Sequence, residues 1–118
     1  MKLYGLAHCS TVKRARAWLA QHAIEVPFHD LRRQGITRDM ARAWIEQVGW
    51  ETLINRSGTT WRKLPDPDKR RIMSAATAER LMLEQPSVIK RPVLELRGRV
   101  IVGFEESRYR SLFLGAPR

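Results

Sequence analysis

The sequence holds a single cysteine, Cys9, so no disulfide can close within the chain. Any redox chemistry must therefore borrow a sulfur from another molecule. No apolar run approaches the ~20 residues needed to span a bilayer, which excludes a membrane helix. The start, Met1-Lys2-Leu3-Tyr4-Gly5, lacks the apolar stretch of a secretory signal and reads directly as a strand, so the protein is expected in the cytoplasm. Acidic residues are scarce: 12 Asp and Glu stand against 22 Lys and Arg, leaving a net charge of +10. The excess favours anionic partners. Its carriers are dispersed, in pairs such as Arg32-Arg33, Arg62-Lys63 and Arg70-Arg71, without the long basic run of a nucleic-acid tail. Histidine is also rare, and with one cysteine the pair His29-Asp30 makes no persuasive metal set. No bound metal or cofactor is expected.

What is present suits one folded domain, 1–118. A chain of 118 residues that is 43% hydrophobic can bury a core without staples. Residues 2–6 read as a strand. A break at Ala7-His8-Cys9-Ser10-Thr11 follows, and then Val12, Ala15, Trp18 and Leu19 recur at helical spacing through Gln21. Residues 24–31 read as a second strand whose proline, Pro27, suits an edge or a strand's beginning. Thr37 can cap a helix carrying Met40, Trp44, Ile45 and Val48 on one face, and Gly49 can close it. Residues 50–53 make a short turn and 55–58 a loop. Asp66-Pro67 reads as a helix cap followed by proline at the first helical position. Residues 75–85 form a helix that Pro86 stops. Two apolar runs, 92–96 and 99–103, flank Arg97-Gly98 as a hairpin. Residues 107–114 close the chain as a helix with Tyr109, Leu112 and Phe113 inward. The order is βαβ, helices, ββα. This predicts an α/β, thioredoxin-like fold around one mixed sheet, its core at 1–35 and 88–118 and a helical insertion at 36–87.

In such a sheet, ligands gather where strand ends and helix starts converge. A lone cysteine is more often a buried structural residue, but Cys9 lies between the first strand and the first helix. Unpaired amides and the helix dipole there favour a negative charge. A thiol so placed has its pKa lowered from about 8.5 toward roughly 3.5–7.5 and becomes nucleophilic. His8 and Lys13 can support the thiolate, although Lys13 equally suits a solvated helix face. Ser10 or Thr11 can cap the helix. With Val12 where a dithiol motif has its second cysteine, the chemistry is monothiol. Arg56 in its loop and Arg91 before Pro92 can hold an anion, since guanidinium suits carboxylates and oxyanions. Pro92 stands where this fold commonly carries a cis peptide. The four tryptophans read as core.

These segments resemble a known family. Tyr4-Gly5, Cys9-Ser-Thr-Val-Lys-Arg-Ala-Arg16, His29-Asp30, Asn55-Arg-Ser-Gly-Thr-Thr-Trp-Arg-Lys-Leu64, Gln85-Pro-Ser-Val-Ile-Lys-Arg-Pro-Val93 and Val102-Gly-Phe104 look like the ArsC/Spx family. They look most like its YffB branch of glutathione-dependent thiol reductases. The resemblance implies Cys9 as nucleophile, with Arg56, Arg91, Pro92, Ser10 and Thr11 around the bound anion or glutathione. Glutathione would be the co-substrate, with none bound in the resting protein. Arsenate reduction, resolved by glutathione and glutaredoxin, is an alternative the resemblance also implies. A third arginine of that cradle belongs where this chain has Gly103-Phe104, and one charge-assisted contact contributes roughly 1.5–3 kcal/mol. A second alternative is an Spx-like regulator that binds the alpha subunit of RNA polymerase, although the Cys-x-x-Cys switch is missing here.

Overall fold

The computed structural model describes residues 1–115; the last three residues of the expected domain lie outside them. Four strands form one mixed sheet in the order β2-β1-β3-β4. Strand β1 (Lys2–Gly5) runs parallel to β2 (Phe28–Asp30) and antiparallel to β3 (Val93–Leu96), which pairs with β4 (Arg99–Val102). The first two strands are joined by α1 (Ser10–Gln21), and α8 (Glu106–Leu114) follows the hairpin. This is the thioredoxin-like arrangement.

Alternation along the strands gives the sheet two covered faces. Leu3, Leu94, Leu96 and Ile101 point to one face, where Ala15, Trp18 and Leu19 of α1 and Tyr109 of α8 meet them. Tyr4, Val93 and Val100 point to the other face, which the helices between β2 and β3 cover. Those helices are α2 (Leu31–Gln34), α3 (Arg38–Val48), α4 (Trp50–Leu53), α5 (Thr59–Arg62), α6 (Asp66–Arg71) and α7 (Ala75–Glu84), followed by a 3₁₀ turn at Pro86–Val88. Leu31, Ala41, Trp44, Leu53, Ala78 and Met82 are their fully buried contributions.

Some ends follow the capping chemistry. Thr37 accepts from Met40 N–H, Gly49 closes α3 at φ 84°, and Ser74 forms a capping box with Thr77. Arg97 and Gly98 both take positive φ, 51° and 77°, as a two-residue hairpin turn requires.

Four expectations need correction. The second strand begins only at Phe28: Pro27 has no N–H for a ladder, although its carbonyl accepts from Leu3 N–H at 2.9 Å. A short helix, α2, follows it directly, because the Asp30 carboxylate accepts from Arg32 and Arg33 N–H. Helix α6 starts one residue earlier than expected, with Pro65 at the cap and Pro67 already inside the first turn. Only Trp18 and Trp44 are buried; Trp50 and Trp61 are partly exposed.

One polar junction ties the inserted helices to the sheet. Tyr4 Oη donates to Glu95 Oε1 at 2.6 Å, and Trp44 Nε1 donates to Glu95 Oε2 at 2.9 Å. Burial, then the hydrogen bond to Glu95 and its negative charge, keeps the Tyr4 phenol protonated far above neutral pH, so it stays a donor. Tyr4→Phe keeps the ring and removes one charge-assisted bond, so urea unfolding is expected to show a loss of about 1.5–3 kcal/mol. A loss within error of zero would mean the junction contributes nothing.

Candidate functional site around Cys9

Strand β1 ends at Gly5 against the first turn of α1. A Cβ on Gly5 would stand 2.6 Å from Val12 Cγ2, so only glycine lets helix and strand approach this closely. The chain then turns through Leu6, whose carbonyl accepts from Cys9 N–H at 3.1 Å. Asp30 steadies the same loop, its Oδ2 accepting from Ala7 N–H at 3.4 Å.

Cys9 itself is the N-cap of α1, with extended backbone at φ −72° and ψ 128°. Neither Ser10 nor Thr11 caps the helix, because both are already inside its first turn. Cys9 stands at the capping position, but its side chain forms no capping hydrogen bond of the kind Asp30, Thr37 and Ser74 form. Partial burial pushes the thiol up. The Val12 amide, the Arg91 side chain and the Thr11 amide, together with the Arg91 charge, outweigh that and hold it below the ordinary thiol value.

Arg91 is fixed from behind. Its Nη1 donates to the carbonyls of Ser87 and Ile89, while its buried Nε has no acceptor at full hydrogen-bond geometry. The Arg91–Pro92 peptide is cis, and Pro92 is buried. Backbone pairing sets this segment in place: Asn55 N–H donates to Val88 at 2.9 Å and Lys90 N–H to Leu53 at 2.7 Å.

A cavity of about 410 Å³ opens over the sulfur, lined by Leu6, His8, Cys9, Arg32, Thr59, Thr60, Lys63, Gln85, Ser87 and Arg91. His8 is exposed at its rim. Thr11 faces a neighbouring cavity of about 250 Å³, which shares Arg91 and includes Lys90, Gly103, Phe104 and Arg108. Ser10 and Lys13 are exposed and line neither cavity.

The structure does not place Arg56 beside Arg91. Arg56 is exposed and lines neither cavity; its guanidinium carbon lies 5.7 and 5.5 Å from the ring centres of Trp50 and Trp61. Cation–π attraction holds it there. Arg32 and Lys63 were missed as site residues. Arg32 belongs to an unremarkable basic pair, and Lys63 sits inside the 55–64 motif, but no spacing rule points either toward Cys9.

The ArsC family model matches residues 4–112. The chain belongs to the ArsC family. Among solved ArsC-related structures, it resembles the YffB protein at 49% identity and TM-score 0.87, covering 92% of this chain and 95% of that one. An arsenate reductase (ArsC) related protein from Brucella melitensis is 43% identical, with TM-score 0.75 over 96% of this chain and 95% of that chain. An uncharacterized protein of Haemophilus influenzae is 38% identical over 94% of this chain and 96% of its own length. The global transcriptional regulator Spx of Streptococcus pyogenes is 27% identical over 87% of this chain and 77% of its own length.

Two outcomes are expected from this ArsC-family site. Iodoacetamide modification of Cys9, followed against pH, should show a midpoint below about 8.5, and Arg91→Gln should move it upward. An unchanged midpoint would remove Arg91 from the thiolate's support. Gly5→Ala should cost about 1–3 kcal/mol in urea unfolding, because Val12 and its helix must shift. Full stability in that variant would show the contact to be slack.

Proposed function

We propose that this protein is a glutathione-linked monothiol oxidoreductase with Cys9 as its nucleophile. The observation that carries the reading is a half-buried thiol, lowered by helix amides and Arg91, facing an open cationic cavity. The Cys9 thiolate attacks one sulfur of a glutathione-containing disulfide. A Cys9–S bond forms, the S–S bond breaks, and the other sulfur leaves as a thiolate that takes a proton from water. A glutathione thiolate then attacks the Cys9-bound glutathione sulfur and releases Cys9, so that one free glutathione thiol is consumed for each mixed disulfide reduced and oxidised glutathione leaves. Arg91 holds a carboxylate of the bound peptide, and the backbone before Pro92 pairs with it. Arg56 takes part only with a ligand that extends past the cavity. Arsenate is a poorer fit, since Gly103-Phe104 supplies no third arginine.

The experiment combines mass spectrometry after exposure to oxidised glutathione with a glutathione-coupled disulfide reductase assay. The expected result is an adduct on Cys9, with turnover that Cys9→Ser lowers to background. A thiol inert to oxidised glutathione would overturn the reading.

One observation favours a second reading. The relatives named as global transcriptional regulators align over 87% of this chain, which supports a regulator that binds RNA polymerase through its alpha subunit. Capture of that subunit should then persist in Cys9→Ala, since binding needs no thiol.

A further inference from the structure

The thiol cavity holds two cations besides Arg91. Arg32 comes from α2 and Lys63 from the residue that ends α5, and both line the cavity with Cys9. No acidic side chain lines it. Among the described residues neither cation forms an ion pair, whereas Arg42, Arg71 and Arg110 each have a carboxylate partner. Both are exposed on the protein surface yet turned toward one concave space.

The fold holds this arrangement in place. Asp30 caps α2 through Arg32 N–H at 2.9 Å, so Arg32 is anchored at its backbone while its guanidinium stays free of the protein's own carboxylates. Lys63 N–H donates to Thr59 O at 3.1 Å, which anchors Lys63 in the same way. Thr60, one residue past Thr59, shares a hydrogen bond with Ser87 at 2.8 Å, and both line the cavity. Three cations from separate elements thus line the cavity that opens over the sulfur: Arg91, Arg32 and Lys63. Low-dielectric walls concentrate such a field on whatever enters.

The geometry points to an anion subsite formed by Arg32 and Lys63, which selects disulfides whose thiol partner carries a carboxylate near its sulfur. This rests on the disulfide chemistry proposed above and adds the class of substrate. During the exchange, Cys9 forms its bond to one sulfur and the departing sulfur carries the electron pair away. A carboxylate on the retained half is then held by Arg32 and Lys63.

The test uses the reduced full chain and two probes, the dianionic 5,5′-dithiobis(2-nitrobenzoate) and the dicationic cystamine. Rates of mixed-disulfide formation on Cys9 are divided by those of a small free thiol with the same probes, which removes their intrinsic reactivity. The wild-type protein should prefer the dianion. Arg32→Glu/Lys63→Glu should lower that preference about tenfold or more, and salt should weaken it in the wild type. Arg38→Glu/Arg70→Glu makes the same change in net charge elsewhere and should shift the ratio far less. Equal shifts in both double variants, or no wild-type preference, would overturn the subsite while leaving the thiol chemistry intact. Failure of Cys9 to react with either probe would remove the thiol chemistry itself and the subsite with it.

Discussion

The site depends on the amides of Thr11 and Val12 meeting a sulfur. Every helix starts with N–H groups that have no partner inside it. Helices α2, α3 and α7 satisfy theirs with oxygens from Asp30, Thr37 and Ser74. Helix α1 has Cys9 at that place instead. The thiolate and the helix start therefore stabilise each other. Because the folded thiol titrates below its unfolded value, this contribution is complete above the ordinary thiol range and is lost as pH falls through the lowered value. The lowered thiol is thus a property of where the helix begins.

The rest of the fold serves that meeting point from two sides. From the sheet side, Gly5 admits Val12, and Asp30 holds the Ala7 amide while capping α2, so the loop carrying Cys9 is fixed to its parallel neighbour. From the inserted side, the short backbone pairing of 53–55 with 88–90 delivers Arg91. Trp44 reaches Glu95 and Gln47 reaches the edge strand, where it accepts from Val100 N–H at 2.9 Å and donates to Gly98 O at 2.7 Å. A glutamine side chain here imitates a missing strand and blunts an open edge. The inserted helices are consequently a wall of the site as well as a cover for the sheet.

What was legible in the sequence were features with a local cause. The hairpin showed in its alternation and in Arg97-Gly98, α3 in Thr37, its apolar face and Gly49, and the place of Cys9 at a helix start in its position after a strand. Helix α2 was not legible, since four residues show no periodicity and Asp30 looks like a strand end until its carboxylate is seen to accept from two amides. The cavity wall was not legible either. Arg32 and Lys63 lie far apart in the chain and meet at Cys9 only through the packing of the inserted helices. Arg56 shows the reverse case: its motif suggested a place beside Arg91, while its guanidinium lies near the rings of Trp50 and Trp61 from adjoining turns.

Position 12 explains why the proposed chemistry is monothiol. In a dithiol site it would hold the resolving sulfur, within reach of the first. Here Val12 is fully buried, its branched side chain filling the space that Gly5 leaves beneath the strand. A β-branched group in that slot serves helix–strand packing, and it faces away from any ligand in the cavity. In the proposed exchange the second sulfur then arrives from outside, through the same opening as the disulfide. Cations around the opening act on both arrivals, so a positively charged cavity and a single cysteine fit one requirement: the incoming thiol and the disulfide it resolves should share a negative charge.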